Sequence, residues 1–79
     1  PSAVQQNVSG QPIKAPMPGT ILDIKVTQGA AVKRGDVLFI LEAMKMENEI
    51  TAPIDGVIAQ ISISKGSSVN TGDLLAVLQ

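Results

Sequence analysis

Seventy-nine residues with a net charge of -1, no cysteine, no histidine and a single aromatic, Phe39, leave room for one small domain. Without thiol or imidazole there is no disulfide, no Ser/His or Cys/His nucleophile and no common transition-metal ligand, so neither a stand-alone hydrolase nor a metal centre is expected. Seven acidic residues against six scattered basic ones, with no aromatic platform, also exclude a nucleic-acid-binding surface.

Residues 1–12, PSAVQQNVSGQP, mix Pro, Gly, Ser, Gln and Asn with two isolated valines and follow neither the helical nor the strand period. They read as a flexible linker, and a compact domain is expected over 13–79. Pro1 is no initiator residue, so the chain reads as an excised or processed piece. Its longest apolar runs, Val37 to Leu41 and Leu74 to Leu78, fall far short of the roughly 20 residues that cross a bilayer. A soluble domain follows, with the cytoplasm as default compartment.

Laying residues 13–41 over 50–78, at a constant offset of 37 and without gaps, gives twelve identities in 29 positions. Chance would supply roughly two, so the chain is an internal repeat. Each copy opens on Ala-Pro, at 15–16 and 52–53, where the missing N–H places the proline at a strand end or edge. A strand follows in which Leu22, Ile24 and Val26, matched by Ala59, Ile61 and Ile63, share one face at period 2 and are expected to point into a common core. Gly29 or Gly66 ends that strand, Val32 or Val69 dips inward, and Gly35-Asp36 or Gly72-Asp73 turns into a last apolar strand, VLFIL or LLAVL. Neither copy can bury its strands alone. The prediction is an all-β domain of about eight short strands, a small sandwich or flattened barrel with two pseudo-symmetric halves.

The first copy ends at Leu41 and the second begins at Ile50, which leaves EAMKMENE, residues 42–49, as the seam. Its residues favour helix, but a helix continued from Leu38 would stack Leu38, Leu41, Lys45, Asn48 and Glu49, a face too polar to hold it down. A hairpin with Lys45 at or beside its tip is expected instead. Two-residue hairpin turns favour Asn-Gly or other glycine pairs, and none stands at the centre of this one. Lys45 by itself reads as a solvated charge, a partner of Glu42 or Glu47, or a guard on a sheet edge. Two methionines beside it ask for more, because exposed unbranched apolar side chains suit adaptable recognition surfaces.

Glu42-Ala43-Met44-Lys45-Met46-Glu47, centred between two β repeats that carry APMPG and APIDG, resembles the attachment signature of biotinyl (biotin carboxyl carrier) domains. The similarity spans about residues 13–79. It implies a barrel-sandwich hybrid of two four-stranded antiparallel sheets related by a pseudo-two-fold, with the lysine on an exposed hairpin. It further implies that Lys45 is joined to biotin by an ATP-dependent biotin protein ligase, with Met44 and Met46 as flanking recognition residues. Ala43 is then expected to keep the turn uncrowded, and Glu42 and Glu47 read first as solvated rim charges, with assistance to ligase recognition as the other reading. The domain would then have no catalytic residues and no metal. It would carry carboxybiotin between two active sites of a biotin carboxylase, carboxyltransferase or decarboxylase partner, without inserting into a membrane but able to dock on a membrane-bound complex. The protruding loop of some bacterial acetyl-CoA carboxylase carriers has no counterpart here, so carriers of other carboxylases, decarboxylases or transcarboxylases fit better. The alternatives are a lipoyl domain, which usually has Asp-Lys-Ala at the hairpin, and a barrel-sandwich interaction module with no cofactor.

Overall fold

A computed structural model of the chain describes residues 10–79. The described residues form β1 (Gln11–Lys14), β2 (Gly19–Ile24), β3 (Ala31–Val32), β4 (Val37–Ala43), β5 (Met46–Thr51), β6 (Gly56–Ile61), β7 (Ser68–Val69) and β8 (Leu74–Leu78), and no helix. Residues 1–9 of the expected linker lie outside the described residues. Its last two, Gln11 and Pro12, belong to β1, where they pair with Leu78 and Val77, so the domain starts earlier than Ile13. Pro12 is tolerated there because β1 is an edge strand and one side of it needs no ladder donor.

The eight strands make two four-stranded antiparallel sheets, ordered β1-β8-β6-β3 and β5-β4-β2-β7. Each sheet takes two strands from either copy, and exchanging the copies turns one order into the other. Here lies the pseudo-two-fold. The same exchange organises the core: fourteen of its fifteen buried apolar residues fall into pairs 37 apart, namely Ile13/Ile50, Ala15/Ala52, Ile21/Ile58, Val32/Val69, Leu38/Leu75, Phe39/Ala76 and Leu41/Leu78. The fifteenth, Ala43, has no mate and belongs to the seam.

The copies are also tied through their backbones. Gly35 N–H donates to the Ala52 carbonyl at 2.8 Å and Ala52 N–H to the Asp36 carbonyl at 2.9 Å; Gly72 donates to Ala15, and Ala15 to Asp73, at 2.9 Å each. Each Gly-Asp turn thus saturates the alanine that opens the other copy, and the proline that follows has no N–H to satisfy. Gly29, Gly35, Gly66 and Gly72 all sit near φ +90°, a conformation that side chains with a Cβ rarely adopt. The Asp36 and Asp73 carboxylates close their turns by accepting from Lys33 N–H at 2.9 Å and Asn70 N–H at 2.8 Å.

The period-2 reading of β2 and β6 needs correction. In the β2–β4 ladder Ile21 faces Leu41 and Asp23 faces Ile40, so Leu22 is the extra residue of a bulge; Ala59 has the same place between Ile58 and Gln60 against β8. The bulge shifts the alternation by one. Ile21 and Ile58 become fully buried, Ile24, Val26, Ile61 and Ile63 pack on the core from its margin, and Leu22 and Ala59 stay half-buried outside it. Bulges at Leu38 and Leu75 likewise allow the neighbours Leu38 and Phe39, and Leu75 and Ala76, to be buried together.

Candidate functional site

The seam is a two-residue hairpin. β4 and β5 pair through Leu41 with Asn48, Glu42 with Glu47 and Ala43 with Met46, leaving Met44 and Lys45 as the loop. Both loop residues have positive φ, 54° at Met44 and 66° at Lys45, the signs of a type I′ turn. This turn matches the twist of the flanking strands, which is why two-residue hairpins adopt it. For residues with a Cβ the left-handed conformation costs about 1–2 kcal/mol each. Asn-Gly would avoid most of that cost, so the turn is held by its ladder in spite of the residues at its tip.

The pairing divides the hairpin into two faces. Ala43, 4% exposed, turns inward, and Met46 opposite it lies on the same face but stands 64% exposed beyond the end of the core. Glu42 and Glu47 are cross-strand neighbours on the outer face, both exposed, and like charges so placed repel. Met44 at the tip is 87% exposed, and Lys45 is exposed beside it. Among the described residues the one ion pair is Lys25 Nζ to Asp23 Oδ2 at 2.9 Å, so Lys45 is not tied to Glu42 or Glu47. That hydrogen bond, with the Ile24 N–H and the positive charges of Lys25 and Lys65, holds the Asp23 carboxyl below its ordinary value.

Gly19 supports the site and was not singled out from the sequence. It begins β2 beside the hairpin base, where an added Cβ would collide with the Glu42 carbonyl oxygen and come within 3.0 Å of Leu41 Cδ1 and 3.1 Å of the Ala43 Cβ. Its identity with Gly56 across the repeat was the available signal, but that identity is equally well explained by a turn. The small size of Ala43 has the same origin, since β2 and β4 approach closely there.

Nothing about this site is enclosed. Among the described residues, one surface groove of about 480 Å³ is lined by residues between Ile24 and Val37 and another of about 300 Å³ by the edges of β1 and β5, and neither includes a residue of the tip. Among the described residues no three acidic side chains converge to hold a metal ion, and no helix is long and apolar enough to cross a membrane. The arrangement offers one primary amine, raised on a rigid two-residue turn and flanked by apolar thioethers. Such an amine can be acylated and can present what it carries to a separate active site.

Comparison with known proteins agrees with this geometry. Residues 11–78 match the family model described as "Biotin-requiring enzyme". The chain is 66% identical over 38 residues to methylmalonyl-CoA decarboxylase subunit gamma of Veillonella parvula, a match covering 48% of this chain and 30% of the relative. Among solved structures, a single-chain, multi-domain long-chain acyl-CoA carboxylase superposes with a TM-score of 0.85 at 32% identity, over 98% of this chain and 8% of that one. The lipoyl domain of the 2-oxoglutarate dehydrogenase complex of Azotobacter vinelandii superposes with a TM-score of 0.75 at 36% identity, over 86% of this chain and 94% of that domain. The chain therefore corresponds to a whole domain of that size, and to a small part of the larger carboxylase.

Proposed function

The chain belongs to the biotin-requiring enzyme family, and from that membership we propose that Lys45 is the residue through which it carries its cofactor, biotin. It is a biotin carboxyl carrier domain, of the kind found in biotin-dependent carboxylases and decarboxylases, where the catalysis belongs to other subunits or domains. The observation that carries the assignment is the turn. Lys45 is the sole amine on the two-residue loop, exposed, unpaired with Glu42 or Glu47, and held in a strained backbone conformation that points to selection for something other than turn stability.

The residues fit an amide-linked group. Nζ, once neutral, attacks an activated biotin carboxyl: the N–C bond forms, the bond from the acyl carbon to its activating nucleotide breaks, and a nitrogen-bound proton leaves for solvent. When bound, biotin supplies a ureido nitrogen that takes up and gives back a carboxyl group. The chain's own share is to extend that group away from the domain on the lysine stem and to keep the two neighbouring methionines available for contact. Glu42 and Glu47 place negative charge on one side of the tip, which orients an approaching basic surface. Tethering raises the effective concentration of the cofactor at each active site it visits.

The methionines at 44 and 46 and the decarboxylase relative support biotin over the lipoyl group carried by the fold's other branch. We assign biotin protein ligase as the enzyme that loads the domain and carboxylase, carboxyltransferase or decarboxylase active sites as the ones it serves, with the cytoplasm as the compartment. Co-expression with biotin protein ligase is expected to yield a chain carrying one biotin, and Lys45→Arg a chain carrying none that melts like the wild type. Intact-mass measurement with peptide mapping decides it: biotin on Lys14, Lys25, Lys33 or Lys65, or an unmodified wild type, rejects the assignment.

A further inference from the structure

Two of the chain's three methionines flank Lys45 in sequence, and the third, Met17, lies far from it along the chain. Met17 stands in the connection between β1 and β2, two residues ahead of Gly19, and Gly19 abuts the Glu42 carbonyl and the Ala43 Cβ. That connection therefore lands at the base of the hairpin. Met17 is half-buried and packs against the core, and Met46 lies on the inner face of the hairpin, across the ladder from buried Ala43. The hairpin has two chemically distinct sides: an outer one with Glu42 and Glu47, and an inner one with Ala43 and Met46.

The pseudo-two-fold provides a built-in comparison. Gly56, the mate of Gly19, stands 2.7 Å (from an ideal Cβ) from the Gln79 carbonyl oxygen and 3.7 Å from the Leu78 Cβ, so the equivalent connection in the second copy sits beside the end of β8, remote from any hairpin tip. There the mate of Met17 is Ile54, 42% exposed. Both places need an apolar residue to close an end of the sandwich. Only the place at the hairpin base is filled by an unbranched thioether, whose rotatable bonds and polarisable sulfur let it adapt its shape to a partner.

We propose that Met17 is a third recognition residue for the biotin protein ligase that loads Lys45, forming with Met44 and Met46 one apolar contact surface on the inner side of the tip. The inference rests on the assignment of Lys45 made above. An enzyme that delivers an activated acyl group to Nζ must close around the tip and keep water from the acyl carbon. The inner side is the one it can cover without desolvating Glu42 and Glu47. Met17 extends that side beyond the hairpin.

The test is steady-state biotinylation by purified ligase with ATP and biotin, at varied concentration of wild type, Met17→Gln, Met17→Leu and Ile54→Gln. Met17→Gln is expected to raise KM for the carrier about five-fold or more while kcat stays within about two-fold, the pattern of lost docking contact. Met17→Leu is expected to restore the wild-type KM, and Ile54→Gln to leave it unchanged. With only three methionines, methyl resonances of [methyl-13C]Met-labelled wild type titrated with ligase give a second reading, in which the Met17 signal shifts along with those of Met44 and Met46. An unaltered KM for Met17→Gln, an equal rise for Ile54→Gln, no rescue by leucine or a stationary Met17 methyl overturns the proposal. A wild type that accepts no biotin overturns the Lys45 assignment and this inference together, whereas a biotinylated wild type with any of those outcomes rejects the role of Met17 alone.

Discussion

Met44 and Lys45 occupy a backbone conformation that their side chains disfavour, and they do so at an exposed hairpin tip. The strain is therefore removable without touching the core. Met44→Gly is expected to stabilise the fold by about 1 kcal/mol, because the left-handed penalty exceeds the extra chain entropy that glycine loses on folding. In a domain of this size that is a rise in melting temperature of about 4–8 °C. Thermal denaturation followed by circular dichroism measures it, and an unchanged or lower melting temperature would mean that the turn is not strained. The absence of a turn-forming pair was visible in EAMKMENE, and so was the oddity of two methionines around a lysine. What could not be seen at this scale was which side of the hairpin each residue takes, since that follows from the ladder pairing Ala43 with Met46 and Glu42 with Glu47.

The hairpin is as good as its seat, and the seat is β2. Gly19 lets that strand approach until no room remains for a Cβ against the Glu42 carbonyl and Ala43. Gly19→Ala is expected to cost about 1–3 kcal/mol by overpacking and to displace the hairpin base. Gly29→Ala, at φ 92° in open space, is expected to cost only the backbone penalty of about 1 kcal/mol and to leave the hairpin amides unmoved. Urea denaturation and amide chemical shifts of residues 41–48 separate the two outcomes; equal costs, or shifts in the hairpin from both variants, would remove the role given to Gly19. At this scale the sequence was partly misleading. Alternation placed Leu22, Ile24 and Val26 on one inward face, whereas the bulge at Leu22 buries Ile21 and moves the others to the margin. A bulge adds no distinctive residue type, so period counting passes over it.

Across the whole molecule the pseudo-two-fold makes strong statements about stability. Leu38 and Leu75 are both fully buried bulge residues in equivalent ladders. Each truncation to alanine is expected to cost about 2–5 kcal/mol, and because the core is one cluster shared by both copies, each should unfold the domain in a single transition. Two separable transitions in chemical denaturation, or loss of structure in one copy alone, would contradict a shared core. The repeat also explains the location of the site. Exchanging the copies carries the hairpin at 43–46 onto the place where β8 ends and β1 begins, as the matching surroundings of Gly19 and Gly56 attest. Lys45 consequently stands apart from the place where β8 ends and β1 begins. By itself the sequence determined the two copies at an offset of 37, the glycine turns and the lysine set between methionines, because each is a matter of residue type and spacing along the chain. Only the tertiary structure decided the phase of the bulged strands, the close approach at Gly19, the two faces of the hairpin and the arrival of the β1–β2 connection at its base. Those depend on ladder register and on contacts between strands distant in sequence, which local patterning does not encode.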